Sequence, residues 1–247
     1  LEKRVILIPA VNVFGMNTRQ RHWPFDGTDI NRMFPGYDQG ETTQRIAACV
    51  YQATEKAHYR IDLHNSNLHF EETPQVCLYK PTDAELKTAA FFGLSAVVEQ
   101  KPDKIITTTL GSAWKMRGGE NFVLQAGYAG GIQTPHCEAL FESLVRFLIR
   151  VGALSGCVLA EQERDTHYFG VHQSIPVHSN QAGVFVSKLQ VGHWVRQGEV
   201  LGFLYDGFEG ALLSEITAPA SGLLGGLRQH PLIFEGDLMA KIFTPGA

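Results

Sequence analysis

The sequence changes character near residue 160, and this change restricts the folds that the chain can adopt. Up to Gly152, runs with strand-like composition alternate with segments of helical periodicity. From His172 onward, short β-prone runs and glycines follow without helical periodicity. Alternating strands and helices are typical of an α/β domain with a mostly parallel sheet flanked by helices, and short glycine-punctuated strands are typical of small β units. We therefore predict an α/β domain over residues 1–158 and a second, all-β domain over 159–247.

Hydrophobic periodicity assigns the elements of the first domain. The predicted strands are Val5–Ile8, which reads as buried on both faces, Tyr59–His64, Gln75–Tyr79 and Asn121–Ala126. The predicted helices are Thr42–Ala57, Asp83–Phe92 and one that Thr134 caps, Pro135 begins and Gly152 ends. Residues 9–40 form a long polar loop with Gly and Pro. A loop of this length inside a compact domain is usually functional.

The second domain contains an internal repeat. The segment from Ala182 to Leu204 is echoed by the segment from Ser221 to Ile242, at an offset of 39 residues at the first glycines and 38 at the second. Such self-similarity predicts two copies of one unit packed face to face as a small sandwich. The repeat resembles the biotinyl/lipoyl carrier domains. Because the segment 206–211 between the copies has no lysine, we expect no swinging-arm carrier role.

Composition excludes several classes of function. Apolar residues make up 44% of the chain and charged residues 19%, which is typical of a globular protein rather than a disordered one. The net charge of −4 offers no basic surface for nucleic acid, and no apolar run reaches the ~18 residues that a membrane span requires. The four cysteines lack CxxC spacing, which favours reduced thiols in a cytoplasmic protein.

The long loop contains the most specific string of the sequence, which runs from Arg21 to Gly36 and includes Asp29-Ile30-Asn31-Arg32-Met33-Phe34-Pro35-Gly36. An Asn-Arg pair braced by Phe-Pro-Gly suits the fixation of a guanidinium for a carboxylate, because arginine offers a planar bidentate fork. The alternative is that Asn31 is a turn residue and Arg32 a solvated charge.

A second string, Ile61-Asp62-Leu63-His64, ends a predicted strand with Asp62 and His64 on one face. Ligand sites of open α/β sheets lie just beyond such strand ends, and a histidine supported by a carboxylate suits a metal ligand. A hydrogen-bonded structural histidine is the alternative. His69 is a weaker candidate for the same site.

With these strings, the sequence resembles the succinylglutamate desuccinylase/aspartoacylase family, which is related to the zinc carboxypeptidases. The resemblance runs through P-x-x-N (Pro9–Asn12), D-x-N-R-x-F-P-G (Asp29–Gly36), D-L-H (Asp62–His64) and the glycine-rich segment Gly127–Gly131, and continues through the C-terminal repeat. It implies a zinc-carboxypeptidase-like fold and a zinc-dependent hydrolase that removes an acyl group from a small, carboxylate-bearing N-acyl amino acid.

The resemblance also implies roles for individual residues. His64 matches the last of three zinc ligands, and Asn31 and Arg32 match the pair that binds the substrate's carboxylate. The other two ligands belong to an H-x-x-E motif that precedes the loop in the family. We expect no such motif anywhere within this chain, so we place those two ligands upstream of Leu1 and expect the α/β domain to be incomplete at its N-terminus.

Gln125 occupies the position of the family's general base, a glutamate in T-x-E-x-G that matches Val123–Gly127. A carboxamide does not accept a proton near neutral pH, although it can hold a water molecule by hydrogen bonds. Glu120 is the next candidate if the register differs. Two functions follow as alternatives: an active deacylase, or a catalytically impaired relative that acts as a carboxylate-binding or regulatory subunit. The apolar faces of the β domain leave room for a homo-oligomer.

Overall fold

The computed structural model of the protein describes residues 1–101, 107–159 and 165–246. In these ranges the α-helices are α1 (Val13–Thr18), α2 (Thr42–Thr54), α3 (Asp83–Ala89), α4 (Leu110–Lys115) and α5 (Thr134–Arg150). Short 3-10 helices lie between these elements at Ile30–Arg32 and Ala90–Phe92. None of the described helices is long and apolar enough to cross a bilayer.

The strands of the same ranges are β1 (Tyr59–His64), β2 (Phe70–Tyr79), β3 (Ala96–Gln100), β4 (Glu120–Gly127), β5 (His167–Phe169), β6 (Ser174–His178), β7 (Gly183–Ser187), β8 (Trp194–Val195), β9 (Val200–Tyr205), β10 (Leu212–Thr217), β11 (Gly222–Arg228), β12 (Leu232–Ile233) and β13 (Leu238–Phe243). A nine-stranded sheet contains β1-β4-β2-β11-β13-β6 in that order, with β3 and β5 beside β2 and β8 beside β11. A four-stranded sheet contains β10-β9-β7-β12.

The large sheet is mixed, so the prediction of a mostly parallel sheet is wrong. The β1/β4, β2/β3 and β3/β5 pairs are parallel, but β2 is antiparallel to β4, and the ladders among the C-terminal strands are antiparallel. The reason lies in the connections. Residues 65–69 are too few for the crossover that parallel strands require, so β2 reverses direction, whereas α3 supplies a crossover between β2 and β3.

The helices α2, α3 and α5 occur where periodicity predicted helices, whereas α1 lies within the predicted loop 9–40 and α4 was not predicted. Apolar side chains of α3 and α5 pack on β2, β3 and β4 around Phe92, Phe122 and Phe147. The start of α5 differs by one residue: Gln133 is the N-cap and Thr134 is the first helical residue. Gly152, with φ of +68°, follows the end of the helix in a left-handed conformation that favours glycine.

The predicted buried strand Val5–Ile8 is wrong. These residues have no strand conformation, and their exposed fractions lie between 36% for Ile8 and 79% for Leu7. In the described part of the chain, β1 pairs with β4, and no strand lies beside residues 5–8. An apolar run without a neighbouring ladder cannot satisfy its backbone as a strand.

The two sequence repeats appear as equivalent sets of strands. β7, β8 and β9 correspond to β11, β12 and β13, and Gly198 and Gly236 adopt the same φ of +83° before the third strand of each set. The short strands are exchanged, because β8 pairs with β11 and β12 pairs with β7.

The C-terminal core lies between the two sheets, with side chains of β7 and β9 packed against those of β11 and β13. A self-contained all-β sandwich is not confirmed, because β11 also pairs with β2 and so joins the large sheet. The boundary at residue 158 stays a prediction, and residues 160–164 next to it lie outside the described ranges.

Candidate functional site

One face of the large sheet brings the candidate residues of three strands together. In the parallel β1/β4 ladder, Asp62 is paired with Val123 and His64 with Gln125. In the antiparallel β2/β4 ladder, Gln75 is paired with Gln125. Because paired residues point to the same side of a sheet, His64, Asp62 and Gln125 share one face. His64 and Gln125 both lie near the carboxyl ends of their strands.

His64 is bound to Asp62. The distance from Nε2 of His64 to Oδ2 of Asp62 is 2.9 Å, and both side chains are partly buried. This hydrogen bond raises the pKa of His64 above its ordinary value, against the opposite effect of burial. The positive charge of Arg21 acts to lower this pKa, and the negative charge of Asp29 acts to raise it.

The long loop is held by its own polar contacts. The Asp29 carboxylate accepts the Nε–H of Arg21 at 3.0 Å and caps the 3-10 turn through the backbone N–H of Asn31. Oδ1 of Asn31 accepts the backbone N–H of Leu110 at 3.0 Å, which ties the loop to the start of α4. Nη1 of Arg32 donates to the carbonyl oxygen of Asn31 at 3.0 Å, and 37% of the Arg32 side chain is exposed.

A cluster of buried aromatic and aliphatic side chains packs the loop against two helices. Trp23, Ile30 and Phe34 are buried against the apolar faces of α2 and α4. The turn that carries Asn31 and Arg32 therefore rests on a packed base.

Gln125 lies in a polar network that joins β4 to β2. Its Nε2 donates to Oε2 of Glu72, and its Oε1 accepts from the thiol of Cys77, with 3.7 Å between Sγ and Oε1. Glu72 is 2% exposed, and its Oε1 lies 2.6 Å from Nζ of Lys241 on β13. Burial raises the pKa of Cys77 to about 12, so this thiol stays protonated and donates.

Comparison with known proteins decides the family. Residues 1–135 match the succinylglutamate desuccinylase/aspartoacylase catalytic domain. The chain belongs to this family. The N-alpha-acetyl-L-2,4-diaminobutyric acid deacetylase of Halomonas elongata is 26% identical over 253 residues, which cover 98% of this chain and 72% of the relative.

Solved structures of other proteins share the fold of this chain. The succinylglutamate desuccinylase/aspartoacylase of Rhodobacter sphaeroides superposes with a TM-score of 0.78 at 23% identity, over 97% of this chain and 74% of its own. The ectoine utilization protein EutE (DoeB) of Ruegeria pomeroyi, in its product-bound form, gives a TM-score of 0.76 at 22% identity, over 96% and 74% of the two chains.

The described residues do not by themselves fit the three-ligand zinc site implied by the family resemblance. Within residues 1–101, 107–159 and 165–246, no group of three or more His, Cys, Asp or Glu side chains is arranged to hold a metal ion. His64 is positioned by Asp62 as a ligand would be, but it has no companion ligands in these ranges.

One H-x-x-E string does occur in the chain, from His69 to Glu72, and the expectation of a motif only upstream of Leu1 overlooked it. The structure separates its two side chains. His69 is exposed, with its ring 4.7 Å from that of His230, whereas Glu72 is buried against Gln125 and Lys241. The string is therefore not a metal-binding pair, and His69 does not join His64.

A cavity of about 240 Å³ lies beside the end of β1. Its lining includes His64, Asn65, Tyr128, Gln133 and His136, while Gln125 and Arg32 are not among its described lining residues.

Two polar residues of the site, Glu72 and Lys241, were missed by the sequence reasoning, and no pairing was predicted for Arg21 and Asp29, which belong to the recognised loop string. A charged pair eight residues apart without helical periodicity gives no local signal, so the ion pair of Arg21 and Asp29 could not be predicted. For Glu72 a signal existed, because a glutamate inside a strand with buried neighbours requires a partner. That partner, Lys241, lies 169 positions further along the chain.

Proposed function

We propose that this protein hydrolyses the amide bond of a small, carboxylate-bearing N-acyl amino acid. Membership of the deacylase family and the likeness to a named N-acetylated amino acid deacetylase support the reaction class. The observation that carries the proposal is the in-register pair His64 and Gln125 on adjacent strands.

Zinc is part of this proposal, with His64 as one of its ligands. Bound zinc supplies an activated water in enzymes of this kind. Because the described residues do not complete a zinc site, we assign no step of the reaction to the metal. Asp62 holds the His64 ring in one orientation, as the carboxylate partner of a metal-binding histidine does.

Arg32 and Asn31 are proposed to bind the carboxylate of the substrate. The hydrogen bond from Nη1 of Arg32 to the Asn31 carbonyl fixes the plane of the guanidinium, and a fixed plane favours bidentate binding of a carboxylate. The link from Asn31 to the N-terminus of α4 holds the same turn in place.

Gln125 supports a second candidate, a catalytically impaired relative that binds carboxylates or regulates a partner. A carboxamide cannot take a proton from water near neutral pH, and loss of a general base typically lowers a rate by about 10²–10⁴-fold. Both ends of the Gln125 carboxamide already have protein partners, Glu72 and Cys77.

Zinc content and turnover of the full-length gene product separate the two candidates. Metal analysis should give stoichiometric zinc in the wild type, loss of zinc in His64→Ala, and retention in His58→Ala, whose side chain is 70% exposed. Hydrolysis of N-acetyl and N-succinyl amino acids by the zinc-loaded protein is expected. A metal-free protein that binds these compounds in calorimetry without turnover would support the second candidate and reject the first.

The remaining assignments are also proposals. The net charge of −4 supports a small-molecule partner rather than nucleic acid. A cytoplasmic location without membrane attachment, and a homo-oligomeric state, stay predictions from the sequence.

A further inference from the structure

The Asp29 carboxylate is bound through both of its oxygens inside the long loop. Its Oδ1 accepts the backbone N–H of Asn31 at 3.0 Å. Its Oδ2 lies 3.0 Å from both Nε and Nη2 of Arg21. Only 18% of the Asp29 side chain is exposed. One carboxylate therefore joins the turn that carries Asn31 to a guanidinium from an earlier part of the loop.

Arg32 lies beside the same carboxylate without a hydrogen bond to it. Its Nη1 is 3.9 Å from Oδ2 of Asp29, which is an ion-pair distance but too long for a hydrogen bond. The same nitrogen donates to the carbonyl oxygen of Asn31 at 3.0 Å. Among the residues that the structure describes, no other group accepts a hydrogen bond from Arg32. Because Arg21 is bonded to Oδ2, most of the Arg32 N–H groups stay available for a ligand.

The backbone of Arg21 is held by the start of α1. Nδ2 of Asn12 donates to the carbonyl oxygen of Arg21 at 3.0 Å, and Oδ1 of Asn12 caps the helix through the backbone N–H of Gly15 at 2.8 Å. Exposed ion pairs usually contribute little, because two mobile side chains must be ordered. Here one partner, Asp29, is mostly buried and already fixed by the Asn31 turn, so ordering the pair costs less.

We propose that Asp29 is a positioning residue that holds Arg32 in place for a substrate carboxylate. Asp29 attracts the Arg32 guanidinium by charge, while Arg21 occupies the oxygen to which Arg32 would otherwise bond. The two guanidiniums and the one carboxylate leave a single positive charge, which suits a ligand with one carboxylate at this position. The inference rests on the proposed function, in which Arg32 binds the carboxylate of the substrate.

The substitution Asp29→Asn separates positioning from simple electrostatic screening. Asparagine retains a side-chain oxygen for the N–H of Asn31, so the cap of the turn is kept and the charge is lost. If the only effect of Asp29 were to screen Arg32, removal of a negative charge would lower the Kd of a carboxylate ligand. If Asp29 positions Arg32, the two guanidiniums repel each other and separate, and the Kd should rise about tenfold, as for the loss of one charged hydrogen bond.

Calorimetry with N-acetylglycine measures this Kd in the full-length gene product, because the compound contains one amide and one carboxylate. The matched control is Asp26→Asn. Asp26 is exposed in the same loop and accepts the backbone N–H of Thr28 at 2.8 Å, so the same substitution removes a charge and keeps the turn. The Kd of this control should stay within about twofold of the wild-type value, because solvent screens an exposed charge.

Kinetics distinguish positioning from a general loss of structure. In the zinc-loaded protein, Asp29→Asn should raise KM by about tenfold with little change in kcat, because the contact with the carboxylate is made in ground and transition states alike. A general loss of structure would lower kcat as well. An equal loss in kcat and an unchanged KM would contradict the positioning of Arg32.

Exchange of the Arg21 Nε–H with solvent covers the case in which Asp29→Asn does not fold. In the wild type, this N–H donates to Asp29 and should exchange more slowly in NMR than the Nε–H of Arg4, an exposed arginine outside the loop. Equal exchange rates would overturn the inference, as would a Kd that falls or stays unchanged in Asp29→Asn, and neither result would affect the proposed function. A wild type that neither binds nor hydrolyses N-acetyl amino acids would reject the proposed function, and the inference with it.

Discussion

His64 on β1 stands directly opposite Gln125 on β4, and Asp62, one pleat earlier, holds the His64 ring at 2.9 Å. Asp62→Asn should lower the pKa of His64 in the metal-free protein to its ordinary value or below, because the Asp62 hydrogen bond raises this pKa while burial lowers it. An NMR titration of the ring measures the change. Glu235→Gln, at an exposed carboxylate, should leave the His64 titration unaltered.

The same pair makes a pH-dependent contribution to stability. A raised pKa in the folded state means that the His64–Asp62 interaction contributes fully below the unfolded pKa. The contribution is lost as the pH rises through the folded pKa. The stability difference between wild type and Asp62→Asn should therefore be larger on the acidic side of this range, and a difference that grows with pH would contradict the assignment.

For a buried carboxylate at the start of α3, we expect the contribution to stability to be lost as the pH falls, the opposite of the pH dependence for His64. Glu85 is 1% exposed; burial raises its pKa, but hydrogen bonds from Lys115, Thr82 and Asn121 outweigh burial and leave the pKa below its ordinary value. Glu85→Gln should cost about 2 kcal/mol at neutral pH, because the hydrogen bonds from Lys115 and from the backbone of Thr82 and Asn121 then end on a neutral amide instead of a charged carboxylate. Urea unfolding should show this cost fade as the pH falls through the folded pKa, since protonation removes the advantage of the charge.

The hydrogen bonds of Arg60 depend on the shape of its guanidinium, so we expect a substitution that keeps the charge to lower stability. Its guanidinium donates to the carbonyl oxygens of Thr54 and Gly118, at 3.1 and 2.6 Å, and to Oδ1 of Asn121 at 3.0 Å. Arg60→Lys keeps the charge but loses the fork, so we expect about 2 kcal/mol of destabilisation in urea unfolding. Arg150→Lys, at the exposed end of α5, should leave stability unchanged.

Substitution of Arg32 is expected to change the KM for the substrate and not kcat. Arg32→Lys in the zinc-loaded full-length protein should raise KM by about tenfold or more with little change in kcat, because bidentate binding of the carboxylate is lost in ground and transition states alike. Arg45→Lys, on the exposed side of α2, is the control. An unchanged KM would remove Arg32 from the binding site.

Sequence patterns predicted the elements whose signals are local. The strand Tyr59–His64 and the helix from Thr134 to Arg150 follow from alternation and helical periodicity, and the repeat at 39 and 38 residues appears in the strand order. The first half of β2 was missed, because Glu71, Glu72 and Pro74 have low strand propensity and their strand conformation depends on pairing with β4 and β11.

Long-range contacts account for the other differences. Apolar character alone suggested a buried strand at Val5–Ile8, but burial requires neighbours that local sequence does not specify. Likewise, no local pattern links Glu72 to Lys241, because their contact depends on β11 lying between β2 and β13 in the sheet.

The exchange of short strands between the two repeats makes them one folding unit. β8 completes the edge of β11, and β12 completes the edge of β7, so neither repeat retains a full set of backbone partners without the other. Residues 207–211, between β9 and β10, are exposed. A chain cut in this turn would consist of two fragments with complementary edges, and these would associate as the halves of an intertwined dimer do.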